Sequence, residues 1–228
     1  MTNLTSSNET NDFKKRLRTS LSDKTLNLIS VKIFKHKNVY FVGDQAENVY
    51  FIDSGQIKLV MLSPEGKECL LCILKAGDIF GELCLSGASP RQETVTAMID
   101  TTLICIPRAI FFLHLVKHSL FEGYLQYLVT RISSQQMIIS HLLTVDCEHR
   151  LGEMLLKLAR ELGKPDPHSK RIEQRITHEE FAQMVGTTRP RVTEFMVKFR
   201  QLGLISINPK HFLVVNEKKL ISYLAQVV

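Results

Sequence analysis

The sequence predicts an α+β chain: an antiparallel β-roll, then one long helix, then a small domain of short helices closed by a hairpin. Three observations carry this. Residues 31–107 hold short apolar runs cut by turns: NVYFV, NVYFI, IKLVML, CLLCIL, TVTAMI and TLICI. Residues 121–142 place a seam of side chains at alternating steps of four and three. Residues 177–215 combine a helix start, a glycine break, a second apolar stripe and a strand–turn–strand pattern.

The bulk numbers set the frame. A chain of 228 residues with 44% hydrophobic content fits one or two globular domains and excludes wholesale disorder. No apolar run approaches the ~18 residues that span a bilayer. The opening MTNLTSSNET is polar and lacks the apolar core of a signal peptide. Five cysteines, an odd number, mostly in apolar runs, fit a reducing compartment. The expectation is a cytoplasmic protein without a membrane partner. The formal charge is +6, and residues 146–228 hold 14 Lys+Arg against 10 Asp+Glu, so +4 of it lies in the C-terminal third. Such an excess permits an acidic partner.

Residues 1–27 read as a polar tail leading into a short helix, with Lys14, Lys15, Arg16 and Arg18 on a solvated face. Residues 28–116 form the roll. Its runs are rich in Tyr, Val, Ile and Phe, and Gly43, Gly55, Gly66 and Gly77 punctuate them in turn contexts. Cys69 and Cys72 form a CxxC inside one run. Strand alternation would send them to opposite faces, and no second pair completes a metal site. They are plain strand residues, or else a redox or metal pair.

Residues 117–145 form the long helix. Its seam is Phe121, Leu125, Leu128, Ile132, Gln135, Ile139 and Leu142, a heptad pattern that calls for a partner helix. The simplest partner is the same helix of a second subunit, and packing on the roll is the alternative. Gln135, the polar member, can set register or reach a ligand at the dimer axis.

Residues 146–228 form the last domain. Asp146 is placed to cap a helix with Leu151, Leu155, Leu158 and Leu162 on one face, ending at Gly163. GKPDPHSK follows as a loop. Thr177 and Glu180 make a capping box for a short helix burying Phe181, Ala182 and Val185. Gly186 supplies the turn to a second helix, which Thr187 or Thr188 can cap and in whose first turn Pro190 is tolerated. Val192, Phe195, Met196 and Phe199 are its buried stripe, and Arg189, Arg191, Glu194 and Lys198 lie opposite. LGLISI, Asn208 to His211 and FLVV make a hairpin with Lys210 at its tip.

Together these are a winged helix-turn-helix, and its outer face suits double-stranded DNA. Arg pairs with guanine, Glu accepts from cytosine, and Thr meets phosphate or a thymine methyl. Such contacts come from the N-terminal part of a recognition helix. Thr177, Thr187, Thr188, Arg189, Arg191, Glu194, Lys198 and Lys210 are the candidate DNA-contacting residues.

Across Leu28 to Val215 the pattern resembles the CRP/FNR superfamily of bacterial transcription regulators. The stretch FGELCLSGASPRQETVTA, Phe80 to Ala97, looks like the phosphate-binding cassette of the cyclic-nucleotide-binding roll. The resemblance implies a homodimer on near-palindromic operators, acting with RNA polymerase. In relatives that bind cyclic AMP the cassette Glu holds the ribose and the cassette Arg the cyclic phosphate, positions matched by Glu82 and Arg91, with Gly81 and Leu83 beside them. The departures are Gln92 and Glu93, where small residues are usual, and Gln135 and Gln136 at the adenine-facing positions of the long helix. Glu93 brings a negative charge to a phosphate site. The effector is therefore cyclic AMP, another small molecule, or none, and in an empty or repurposed roll Glu82 and Arg91 form a structural ion pair.

The recognition helix departs too: Pro190 and Glu194 replace a Glu and an Arg common in the family, so a different operator is expected, read mainly by Arg189 and Glu194. The tail lacks the cysteines of the family's iron–sulfur members. His114 and His118, four apart on a helix, read as core or solvated side chains. A protein-interaction module with little DNA binding is the competing function. No catalytic motif supports an enzyme.

Overall fold

The computed structural model describes residues 3–22, 28–87, 90–166 and 169–226. Within them lie, in order, α1 (Asn3–Leu21), β1 (Ile29–Ile33), β2 (Asn38–Tyr40), β3 (Asn48–Ser54), β4 (Gln56–Leu62), β5 (Glu68–Lys75), β6 (Ile79–Phe80), a 3-10 turn (Glu82–Ser86), β7 (Thr94–Ala97) and β8 (Thr101–Pro107). Then come α2 (Arg108–Lys117), α3 (Phe121–Thr144), α4 (Cys147–Leu162), β9 (Lys164–Asp166), β10 (Ser169–Ile172), α5 (His178–Val185), α6 (Arg189–Gln201), β11 (Ile205–Ile207), β12 (Leu213–Val215) and α7 (Glu217–Leu224). The chain divides into two compact units, Met1–Gln135 and Gln136–Val228, with the division falling inside α3. No helix among the described residues is long and apolar enough to cross a membrane.

The first unit is the roll and its helices. Two four-stranded antiparallel sheets, ordered β1-β8-β3-β6 and β2-β7-β4-β5, enclose a core of Tyr40, Ile52, Ile57, Leu59, Leu74, Phe80, Val95 and Leu103. Each expected run became a strand, and β1 and β6 add two that the runs did not include. β5 overturns the expectation for its cysteines. Cys72 opposes Leu59 and Cys69 opposes Met61, with Leu71 bulged out between the pairs. Directly opposed residues share a face, and the bulge adds one residue to the count, so both cysteines lie on one face. Neither is in a disulfide.

A second correction concerns the N-terminus. Instead of a tail and a short helix, α1 runs 19 residues. Phe13, Leu17 and Leu21, one turn apart in succession, join a core cluster with Phe111, Leu115, Tyr124 and Tyr127. Its basic residues are not all on a solvated face: Lys14 pairs with Asp78 at 2.5 Å and lies over the Tyr127 ring, and Arg18 pairs with Asp53. Residues 1–2 and 23–27 of the expected tail lie outside the described residues. His114 is buried, with Nε2 2.8 Å from Ser20 Oγ.

α3 has two faces. Tyr124 and Tyr127 are buried in the first unit. Phe121, Leu125, Ile132, Ile139 and Leu142 of the seam are between 43% and 58% exposed on the single chain, and Leu128 is half-buried.

In the second unit, Asp146 caps α4 by accepting from His149 N at 2.9 Å. α4 buries Leu151, Leu155 and Leu158, while Leu162 is only half-buried. The expected loop after it is in part a strand pair: Lys164–Asp166 aligns with Ser169–Arg171. Pro165 is accommodated because β9 is the edge of the sheet β11-β12-β10-β9, where a missing N–H costs no ladder bond. Pro167 and His168 lie outside the described residues.

Leu17 is fully buried, so Leu17→Ala should destabilise the first unit by ~2–5 kcal/mol. Calorimetric unfolding of the variant checks this, and an unchanged transition would mean that α1 is not docked.

Candidate nucleic-acid interface and effector pocket

The helix-turn-helix is built by local rules that can be followed residue by residue. Thr177 Oγ1 accepts from Glu180 N at 3.1 Å while Glu180 Oε2 accepts from Thr177 N at 2.9 Å, the expected reciprocal cap. α5 ends at Gly186, whose φ of 67° is left-handed and favours glycine. α6 begins after Thr188, which stands at the N-cap but makes no side-chain cap bond, contrary to one expectation. Val192, Met196 and Phe199 are buried, and Phe195 is half-buried.

Thr177, Thr188, Arg189, Arg191 and Glu194 are exposed, and Thr187 is half-buried. Lys198 differs. Its Nζ lies 2.8 and 2.9 Å from the two Glu148 carboxylate oxygens and 5.7 Å from the Tyr223 ring centre. That ammonium ties α6 to α4 and α7. In the hairpin, Asn208 Oδ1 accepts from Lys210 N and Phe212 N, and Lys210 stands exposed at the tip.

Two residues were missed. His178 Nδ1 lies 2.9 Å from Thr193 Oγ1, whose own proton goes to Arg189 O at 3.0 Å. Burial first, then the charges of Arg189 and Arg200, hold His178 below the usual histidine range. Arg150, in the first turn of α4, donates to three carbonyls from two separate segments, Val145 on one and Val185 and Gly186 on the other. Its only signal in the sequence is a cation near a helix N-terminus, where the dipole opposes it.

The roll's cassette sits where β6 meets the 3-10 turn. Gly81 has φ 76°, and a Cβ there would stand 2.8 Å from Arg91 Nη1. The space in front of Gly81 is therefore already filled by the arginine. Arg91 is 4% exposed; Nη1 donates to Gly81 O at 3.0 Å and Nη2 to Asn48 O at 2.7 Å. Its guanidinium carbon lies 4.2 Å from the Tyr40 ring centre. Glu93 is buried and accepts from Tyr40 Oη at 2.7 Å. Burial, reinforced by the Glu93 charge, pushes the Tyr40 phenol far up. Leu83, Gln92, Gln135 and Gln136 are exposed, and Ala88 and Ser89 lie outside the described residues.

Glu82 and Arg91 do not form the structural pair that the sequence left open. Glu82 instead meets Arg131 of α3 at 2.6 Å. Arg131 also donates to Ile79 O at 3.0 Å, and Tyr127 Oη lies 3.2 Å from both Ile79 N and Ile79 O. Burial raises the Glu82 carboxyl above its usual range, with Arg131 opposing. Sequence spacing pointed at Gln135 and Gln136 and passed over Arg131, one helical turn earlier.

Comparison with known proteins now adds a second line. Residues 31–118 match the cyclic nucleotide-binding domain family, and residues 149–223 match the Crp-like helix-turn-helix domain. A global nitrogen regulator of Synechocystis sp. is 33% identical over 80% of this chain and 82% of its own. The chain belongs to the CRP/FNR superfamily. A CRP-like cAMP-activated global transcriptional regulator of Mycobacterium tuberculosis is 27% identical over 80% of this chain and 82% of its own. A CRP-family transcriptional regulator of Thermus thermophilus shares the fold, with a TM-score of 0.71 at 23% identity over 86% of this chain and 96% of its own. CRP/FNR proteins are DNA-binding transcription regulators, not enzymes, and they are dimers; this chain is such a regulator. Its first domain is of a kind that suggests a small effector.

A cyclic nucleotide does not fit this CRP/FNR pocket as it stands. The arginine that would meet the phosphate has both Nη groups on carbonyls and its plane over an aromatic face, leaving only the buried Nε without a partner. The carboxylate that would meet the ribose is spent on Arg131, and Glu93 adds a second buried acid to a site meant for an anion.

Removal of Arg131 tests the pair. In Arg131→Met the Glu82 carboxylate loses its charge partner, and its folded-state pKa should rise further. A carboxyl with a raised folded pKa destabilises the fold as pH rises from its unfolded to its folded pKa, and not below. The variant should therefore unfold more readily than wild type at pH 7.5 and approach it near pH 4.5, in a pH series of melting curves.

Proposed function

We propose that two copies pair along the α3 seam and present two α6 helices to successive major grooves of a near-palindromic operator. Arg189 and Glu194 read bases. Arg191, Thr177, Thr187, Thr188 and Lys210 hold phosphate or read at the margin. Lys198 contributes by fixing α6 rather than by touching DNA. The observation that carries this is the exposed N-terminal half of α6, where Arg189, Arg191 and Glu194 share the surface, on a unit that also bears a hairpin with a basic tip. The exposed apolar seam supports the pairing, since a row of side chains this apolar is costly in water without a second copy. Dimers of the family place half-sites about one helical turn apart. Transcription then follows through contact with RNA polymerase.

The roll takes a small effector that is not cyclic AMP. The carrying observation is the closed arrangement of Arg91, Tyr40 and Glu93. Names of relatives do not choose an effector here, because cAMP-activated and nitrogen regulators match the chain over similar shares of its length.

Arg189→Ala should lose ~1–3 kcal/mol of discrimination between the operator and scrambled DNA, whereas Lys210→Ala should weaken both about equally and reduce the salt slope by ~1. Fluorescence anisotropy across a salt series separates the two, and an Arg189→Ala protein with full discrimination would refute the assignment. Titration calorimetry of the purified protein with 1 mM cyclic AMP is expected to show no binding heat (about 1 mM corresponds to a weak ligand). Micromolar binding abolished in Arg91→Ala would overturn the exclusion.

A further inference from the structure

Arg150 stands where a cation is least expected, in the first turn of α4. All three of its side-chain nitrogens donate. Nε reaches Val185 O at 2.8 Å; Nη1 reaches Val145 O at 2.5 Å and Leu142 O at 3.4 Å; Nη2 reaches Gly186 O at 3.4 Å. Leu142 lies in the last turn of α3 and Val145 directly follows that helix, while Val185 and Gly186 form the end of α5 and the turn of the helix-turn-helix. A helix end leaves carbonyls without N–H partners and carries partial negative charge. Here two such ends converge on one planar cation, whose forked donors suit several acceptors at fixed angles. The packing is as close as the bonding: a Cβ on Gly186 would lie 2.9 Å from Leu142 Cδ2, a seam side chain.

We propose that Arg150 is a positioning residue for operator recognition. It bolts the turn of the helix-turn-helix to the last turn of the seam helix, and so fixes how far apart the two recognition helices of a dimer lie. This rests on the reading of α3 as the dimer seam and of α6 as the recognition helix. Arg150 itself touches no DNA. A side chain that only stabilised the fold would lower affinity for every DNA alike. A side chain that sets geometry would instead change how strictly half-site spacing is read.

The test uses the full-length protein and an operator selected by wild type from randomised duplexes. Affinity is measured for that operator and for versions with one or two base pairs inserted between the half-sites. Arg150→Lys keeps the charge but has no fork to span both helix ends. Arg150→Gln keeps two N–H donors without charge and serves if the lysine variant fails to fold, judged by circular dichroism and dimer mass. The expected result is a folded dimer with unchanged non-specific binding. Its preference for the native spacing over the shifted ones should shrink by roughly tenfold, about one decade in the ratio of dissociation constants. A folded variant with the wild-type spacing preference, or with equal losses on every duplex, overturns the role of Arg150 alone. A wild-type protein indifferent to spacing overturns the dimeric reading beneath it.

Discussion

A guanidinium cannot shed its proton and accepts nothing, so every arginine that the chain takes out of water must be surrounded by oxygen or by an aromatic face. Most of what is specific to this molecule follows from how it meets that demand. Arg91 is met by two backbone carbonyls and Tyr40, with its Nε left over, and Arg131 by Glu82 and a carbonyl of β6. Arg150 is met by the ends of two helices. In each case the acceptors come from segments that are not neighbours in sequence, so the cation joins elements that hydrophobic packing alone would leave free to slide. Packing supplies most of the stability; these contacts supply alignment.

What could be read from the chain beforehand was what local rules govern. The roll's strands announced themselves through β-branched and aromatic runs between glycines. The capping box at Thr177 and Glu180, the left-handed Gly186 and the buried Val192, Met196 and Phe199 depend on neighbours within a few positions, and they fell where spacing put them. α1 was misjudged because three apolar residues in a polar stretch dilute to nothing in composition, although their spacing is helical. The faces of Cys69 and Cys72 were misjudged because alternation assumes an unbroken ladder, and the bulge at Leu71 is a property of two strands together. The β9–β10 pairing was hidden by proline, which is excluded only from the interior of a sheet.

Site chemistry was legible unevenly for the same reason. The base readers proposed above, Arg189 and Glu194, sit on one short helix, so reading the helix amounts to reading that part of the surface. Lys198 is the exception: its partner Glu148 is fifty positions away in the sequence, and no periodicity connects them. In the roll nearly every relation is of this distant kind. Glu82 finds Arg131, Tyr40 finds Glu93, and Arg91 finds the carbonyl of Asn48. A motif can name such residues without saying to whom they are bound.

The strand end that carries the cassette is fastened to α3 through both backbone groups of one residue, Ile79, by Tyr127 and Arg131 together. Mechanically this makes residues 79–82 and the middle of α3 one lever. A guest that met Glu82 would meet a carboxylate already held by Arg131, whose other contact is the carbonyl of Ile79. The same linkage would be met by a guest of any chemistry that reached Glu82.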